Sequence, residues 1–334
     1  MSDRRAGGFG WAWRAVATLA VLSLVLPWLG SRFWLAELST HFVPHYAAAA
    51  LIVAIVLGLR NRPFASLAAL AVCAVQVARL LPLWAQPDLP VTPGPAERLT
   101  ISQLNVNFNN ADIDRIVQWF ETQDSDVAVL VEVTPEWSEA MTSLRARYPH
   151  SLVRIPPDGS GVAVFAKQAS PLFRVEPLGD AWCPAVVLNV PQPTGPSVLA
   201  LFATHLRSPM TPGDAAARNR QLSVLARRVE AEPALNKVVV GDLNITRWSP
   251  LFGHLTGPTG IRDGQEGFGL GGSWPSVLGQ WMGIPIDQTL VSSRVRVVRR
   301  VVGPDLGSDH LPVTTTIEFS PGVGLGADDR DFSA

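Results

Sequence analysis

Hydrophobicity is spread unevenly along the chain. Three apolar blocks, from about Trp13 to Phe33, Val43 to Leu59 and Phe64 to Trp84, dominate the first 95 residues, and each approaches the ~20 residues needed to cross a bilayer. The second is the shortest and opens with Pro44 and His45. A cleaved signal peptide is the rival reading of the first block, but no A-x-A site follows it and two more apolar blocks do. Arg4, Arg5 and Arg14 precede the first block, and Arg60 and Arg62 lie between the second and third. Both places face the same side if all three blocks cross, and positive residues favour the cytoplasm. Three crossings put everything after Trp84 outside the cytoplasm; two would keep it inside, so the second block decides the topology. Arg79 is placed to snorkel towards headgroups, and Trp28, Trp34 and Trp84 to join an outer aromatic belt, with His41 and His45 as interfacial residues. The expectation is a multi-pass cell-membrane anchor over residues 1–84, in contact with lipid. A stiff spacer over 85–98, carrying Pro87, Pro90, Pro93 and Pro95, follows it.

Beyond the spacer the pattern changes to short apolar runs, turns and a few helical stretches. Leu99–Val106 predicts a strand, and Ile113, Ile116, Val117 and Phe120 share one face of a helix over Asp112–Thr122. Val127–Val133 predicts a strand buried on both faces, and Thr134-Pro135 caps a helix running to about Arg147. Gly161–Lys167, Ala185–Val190 and Val198–Thr204 are further strands, followed by a helix over Gly213–Glu230. Val238-Val239-Val240 is stopped by Gly241. A Gly-rich loop over Gly264–Gly272 then precedes strands at Pro285–Ser292, Val295–Val302 and Leu311–Phe319. Such a sequence of elements predicts an α/β sandwich over 99–319, with a disordered tail over 320–334.

Polar residues gather where these strands end: Asn105, Glu132, His205, Asp242 with Asn244, Asp287, and Asp309 with His310. Asp242 and Asn244 are two apart, so an extended backbone would point both the same way. Taken alone they make a plain turn, since Gly, Asp and Asn are common turn formers. As a set, the strand ends suit phosphoester hydrolysis. Glu132, helped by Asn105 or Asp309, offers the oxygen ligands that Mg²⁺ prefers, with Mn²⁺ as a second candidate. No HxH, HExxH or CxxC spacing favours zinc. Arg207, close to His205, supports an anion site, whereas Arg218 and Trp274 read as pairing and packing residues.

Charge and cysteine content narrow the choice. The net charge is −1. Seven of the 27 basic and three of the 28 acidic residues precede residue 96, leaving 20 against 25 in the rest of the chain. A domain that tracks long nucleic acid is more often basic. Cys73 sits in an apolar block as a packing residue and Cys183 reads as a buried thiol; two cysteines make neither a disulfide framework nor a metal site.

The order Leu104-Asn105-Val106, Val131-Glu132-Val133, Thr204-His205-Leu206, Gly241-Asp242-Leu243-Asn244, Ile286-Asp287 and Ser308-Asp309-His310 resembles the successive motifs of the endonuclease/exonuclease/phosphatase family, the DNase I-like fold, in a membrane-anchored bacterial form. The resemblance covers residues 99–319 and implies a four-layer sandwich, two mixed sheets face to face with helices outside. It implies Glu132 as principal metal ligand with Asn105 beside it. Asp242 would orient or deprotonate the attacking water, and Asn244 would hold the phosphate or that water. His205 and His310 would donate to phosphoryl oxygens, Asp309 would help with metal or water, and Asp287 would orient one of the two histidines. Three positions depart from the pattern: Val131 stands where many relatives have Gln, Gln288 where His or Tyr is frequent, and Ser273 where Thr precedes Trp. The substrate class stays open among lipid headgroups, nucleic acid and small phosphoesters, and no protein partner is identifiable. The alternative reading is a non-catalytic membrane receptor or scaffold that keeps the sandwich.

Overall fold

Val127–Val133 shows how the sequence builds the fold. Val127, Val129 and Val131 point into one hydrophobic core while Ala128, Leu130 and Val133 point into another, so the run is apolar throughout because both faces are covered. The structure, a computed structural model, describes residues 3–85, 96–157, 161–167, 171–179, 184–190 and 198–320. Most of the expected spacer, the expected disordered tail and Cys183 lie outside the described residues.

Two mixed six-stranded sheets carry the larger unit. The first contains β1 (Glu97–Asn105), β2 (Val127–Val133), β3 (His150–Arg154), β4 (Gly161–Ala166), β11 (Val295–Val302) and β12 (Val313–Phe319), in the order β11-β12-β1-β2-β4-β3. The second contains β5 (Leu172–Glu176), β6 (Ala185–Val190), β7 (Leu199–Ala203), β8 (Asn236–Asp242), β9 (Arg262–Asp263) and β10 (Asp287–Val291), in the order β5-β6-β7-β8-β10-β9. In each sheet one central pair is parallel, β1 with β2 and β7 with β8. A helix lies in each crossover, Ile113–Thr122 in one and Pro212–Ala231 in the other, as parallel pairing requires. One apolar core draws on both sheets, through residues such as Ile101, Val129, Val164, Leu188, Leu201 and Val240. A second forms where Ile116, Val117, Phe120 and Trp137 cover the outer face of the first sheet. The architecture is therefore the expected α/β sandwich of two mixed sheets flanked by helices.

The helix expected to run to Arg147 is α-helical only over Pro135–Ala140 and continues as a 3-10 segment over Met141–Ala146. Strands β3, β5 and β9 were not expected, and a helix over Gly253–Thr259 was not expected either.

The N-terminal unit has three helical stretches long and apolar enough to cross a membrane: Gly10–Leu29, Trp34–Leu59 and Pro63–Leu83. The second is longer than its apolar block because Trp34–Ser39 and a 3-10 turn at Thr40–Phe42 precede Val43–Leu59. Pro44 falls in the first turn of that last helix, where its missing N–H costs nothing. Ala54, Ala65 and Ala69 are buried with Ala12 and Val16, small side chains that let helices approach closely. Ile52, Leu59, Phe64 and Leu67 are exposed on the outside.

A second segment, Ile245–Gly253, clusters with this unit rather than with the sheets. There Ser249 Oγ donates to Glu37 Oε1 at 2.6 Å, and His41 Nδ1 lies 2.9 Å from Thr246 Oγ1. His41 Nε2 sits 3.3 Å from Glu37 Oε1. All four residues are buried.

Candidate active site

Parallel strands end on the same side of a sheet, and that shared end is where open α/β folds place their ligand sites. Asn105 and Asp242 are the last residues of β1 and β8, and His205 lies two residues beyond β7. The antiparallel neighbours start where these finish. Asp287, first in β10, pairs in register with Asp242, and His310 lies three residues before the start of β12.

Local backbone devices aim these side chains. Glu132 lies at a register shift between β2 and β4 and takes φ +65°, so a bulge turns it out of the strand's alternation. Asn244 has φ +49° and Asn107 φ +58°. Non-glycine residues held in the left-handed region cost of order 1–3 kcal/mol each and cluster at functional sites. Gly241 has φ +135°, and a Cβ there would meet the Thr204 carbonyl oxygen at 1.9 Å, so only glycine lets β7 and β8 close up at this point. Asp242 and Asn244 share the site for a different reason from the extended backbone expected of them. The strand stops at Asp242, and the Asn244 N–H folds back to donate to Asp242 Oδ1 at 2.9 Å.

Asn105 is the hub. Its Nδ2 donates to Glu132 Oε1 at 2.8 Å and to Asp242 Oδ2 at 3.0 Å. His205 Nε2 lies 3.7 Å from Glu132 Oε1 and 3.6 Å from Asp242 Oδ2, and Asn244 Nδ2 lies 3.2 Å from the same imidazole nitrogen. His310 Nε2 approaches Asp242 Oδ2 at 3.6 Å while its Nδ1 bonds Asp287 Oδ2 at 2.8 Å. Asp287 therefore orients His310, a choice the sequence left open. Ser308 Oγ donates to the Asn105 carbonyl at 2.7 Å and accepts from the His310 N–H at 3.0 Å, which ties the two strand ends together.

Asp309 stands at the edge of this set. Its two carboxylate oxygens accept from Asn107 Nδ2 at 2.8 Å and from Trp274 Nε1 at 3.0 Å. Trp274, expected only to pack, thus contacts a site carboxylate, and its ring lies 6.5 Å from that of His310. Arg218, fully buried, donates from Nη1 to the Asn244 carbonyl at 2.7 Å and so holds the strained turn. Arg207, expected beside an anion site, pairs its Nη1 with Asp214 at 3.0 Å. Asn107 is the residue that the sequence undervalued, one of three asparagines that follow β1 with nothing in the pattern to single it out.

Burial sets the electrostatics. Asp242 is pushed up to about 6 by desolvation, helped by Asp287 and opposed by His310 and His205. Burial alone would lower His310, but the adjacent Asp287 and then Asp242 outweigh it and hold the imidazole up to about 10. Burial would raise Asp287, and the His310 charge and hydrogen bond bring it below the usual carboxylate range. At neutral pH the centre thus has a buried imidazolium between two carboxylates.

A hard divalent cation fits the donor set. Glu132 and Asp242 share a single amide nitrogen, and Asp287 Oδ1 is buried without a partner. Donor atoms of Asp242, Asp287 and His310 also lie within 4.8 Å of one another. The Asp287–His310 hydrogen bond occupies two of those donors, so the Glu132 and Asn105 side of the cluster is the better holder.

The sandwich and its strand-end cluster define a class of protein. The endonuclease/exonuclease/phosphatase family model matches residues 102–310, and the chain belongs to that family. Among solved structures the fold is similar to the endonuclease/exonuclease/phosphatase from Beutenbergia cavernae DSM 12333 (19% identity, TM-score 0.51, 67% of this chain and 72% of that one). It is also similar to the family protein from Bacteroides thetaiotaomicron (16%, 0.54, 68% and 100%). A third is D. rerio TDP2 complexed with a single-strand DNA product (18%, 0.52, 66% and 99%). At these identities the likeness is one of fold. No curated protein matches the chain significantly.

Proposed function

We propose that this protein is a membrane-anchored, divalent-metal-assisted phosphoester hydrolase in which water attacks phosphorus. One observation carries the reading. Asn105, Glu132, His205, Asp242, Asn244 and the Asp287–His310 pair converge where the two parallel strand pairs end. Glu132 would hold the cation with Asn105 beside it, and the cation when bound would neutralise charge building on the phosphoryl oxygens. Asp242, at about 6, is ionised at neutral pH yet basic enough to take a proton from the attacking water. As the water oxygen bonds to phosphorus, the P–O bond to the leaving group breaks. His310, kept protonated by Asp287, gives its Nε2 proton to the departing oxygen, and Asp242 returns the water's proton to it. His205 and Asn244 donate to the non-bridging oxygens. Asp309 keeps the Asn107 and Trp274 loops against the site rather than holding the cation itself.

Membrane anchoring is supported by three helical stretches of sufficient length, 20, 26 and 21 residues. With Arg60 and Arg62 in the short link, the reading is a multi-pass anchor, residues 1–84, and a catalytic domain, 99–319, outside the cytoplasm. A reporter fused after residue 95 should be active only outside; cytoplasmic activity overturns the placement.

The decisive experiment is a substrate panel of soluble phosphomonoesters and phosphodiesters, single-stranded DNA and phospholipid, using the full chain with and without Mg²⁺ or Mn²⁺. Cation-dependent turnover that disappears in Asp242→Ala supports the reading. No turnover of any phosphoester, with or without metal, overturns it and leaves a receptor or scaffold.

A further inference from the structure

Two loops that flank the site expose large apolar side chains instead of the charges a phosphoester site would attract. Phe108 is 60% exposed, although its backbone N–H donates to Glu132 Oε2 at 3.2 Å. On the loop after Trp274, Val277 is 86%, Leu278 47%, Trp281 66% and Met282 48% exposed. Asp309 joins the two loops: Asn107, the neighbour of Phe108, bonds its Oδ1, and Trp274 bonds its Oδ2. Ser276, the neighbour of Val277, donates its N–H to the Asp309 carbonyl at 2.7 Å and its Oγ to the Ser308 carbonyl at 2.8 Å. Both apolar tips therefore begin one residue from groups that hold Asp309, at the mouth of the cluster.

The composition of these loops selects the partner. From Gly267 to Ile286 the sequence contains no Asp, Glu, Lys, Arg or His, and Asn105–Asp112 contains no basic residue. A mouth that reads nucleic acid needs cations for the phosphate backbone, and none is present in either loop. Exposed Trp, Met, Leu, Val and Phe on adjacent loops form the kind of patch that marks an interaction site, and Trp partitions to the bilayer interface. The same chain carries three stretches able to cross a bilayer, so such an interface is within a short tether of sequence.

We propose that Phe108, Val277, Leu278, Trp281 and Met282 form an interfacial docking rim, and that the substrate is the phosphodiester of a phospholipid headgroup in the bilayer. The inference rests on the hydrolase and anchoring readings above and names their substrate class. Water supplies the oxygen that bonds to phosphorus, one P–O ester bond breaks, and the leaving alkoxide takes up the proton, so no further reactant is needed.

The test uses the full chain reconstituted in phosphatidylcholine–phosphatidylglycerol vesicles, beside a soluble chromogenic phosphodiester and a single-stranded DNA oligonucleotide. Headgroup hydrolysis should exceed turnover of both soluble substrates. In Val277→Ser/Trp281→Ser the ratio of vesicle-lipid to soluble-ester turnover should fall at least tenfold. A nitroxide on Val277→Cys, in a Cys73→Ser/Cys183→Ser background, should be reached by oxygen in preference to a water-soluble nickel chelate. Soluble-ester turnover without lipid turnover, an unchanged ratio, or a water-exposed nitroxide overturns the inference while leaving the hydrolase reading standing. Failure on all three substrates overturns the hydrolase reading itself.

Discussion

Glu37 with His41 in the N-terminal unit and Asp287 with His310 in the larger unit each set a buried imidazole beside a buried carboxylate, but only the second pair is hydrogen-bonded. The first pair stands at 3.3 Å and the second at 2.8 Å. Their surroundings differ. Around Glu37 and His41 the next polar neighbours are the hydroxyls of Ser249 and Thr246, and the pair staples the segment Ile245–Gly253 within its own unit. Around His310 the next neighbour is Asp242, then Asn105, Glu132 and His205, so each group faces another that can carry or move a proton. A buried pair alone thus says little about function. A chain of ionisable groups leading from it to a half-buried carboxylate says much more.

The largest effect should come from cutting that chain at its centre. Asp242→Ala removes the candidate base and the carboxylate shared by Asn105, His205 and His310, and kcat should fall by roughly 10³-fold or more. Steady-state kinetics on whichever phosphoester is turned over checks it, with circular dichroism to show that the fold persists. Retention of a tenth of the activity would remove Asp242 from the mechanism. Next come His310→Gln and Asp287→Asn, each expected to cost roughly 10²-fold. Because Asp287 acts through His310, the double variant should be little worse than the worse single one. Additive losses would mean that the two act separately and that the pair is no more a unit than Glu37 and His41.

How much of this was legible in the sequence depended on whether a residue announces itself through periodicity. Val127–Val133 and Val238–Val240 are buried on both faces, and their apolar runs were plain. Strands β3, β5 and β9 are edge strands, short and partly polar, because an edge has one pairing partner and more solvent. The strand-end residues could be found because polar groups after buried strands are costly unless used. Their wiring could not. Asp287 to His310 spans 23 residues and Asn105 to Asp242 spans 137, and contact at that separation is fixed by sheet order. The bulge at Glu132 and the left-handed turn at Asn244 were equally hidden, since neither residue type demands a positive φ. Trp274 reads as packing because an indole far along the chain gives no hint that its Nε1 meets Asp309.

The pH dependence of stability offers a smaller effect that still separates the two pairs. Burial raises Asp242 from 3.8 to about 6, so its contribution to the fold is fully present below about 4 and is lost as pH rises through about 6. A cation acts on the ionised form, so Mg²⁺ should raise Tm more at about pH 7.5 than at about pH 5. His310 runs the same way over a higher window. Its pKa is raised from 6.5 to about 10, so the ion pair with Asp287 contributes fully below about 6.5 and is lost as pH climbs through about 10. His310→Gln should therefore abolish an alkaline step in Tm that the wild type shows. Thermal unfolding in chelator and in Mg²⁺ across this range reads both, and a cation effect independent of pH would show that a cation held at Glu132 does not sense the charge on Asp242.

The smallest effect belongs to the closed pair. Glu37→Gln keeps an oxygen to accept from Ser249 and removes only the charge beside His41, so stability should drop by about 1 kcal/mol. Turnover should stay within about twofold, because three residues of chain separate Thr246 from the end of β8 at Asp242 and Arg218 independently holds the Asn244 carbonyl. The pH profile of kcat should superimpose on that of the wild type. A shifted profile in Glu37→Gln would break the comparison outright. It would mean that the staple in the N-terminal unit reaches the site through Ile245 and Thr246, and that the turn at Asn244 is set from both of its ends.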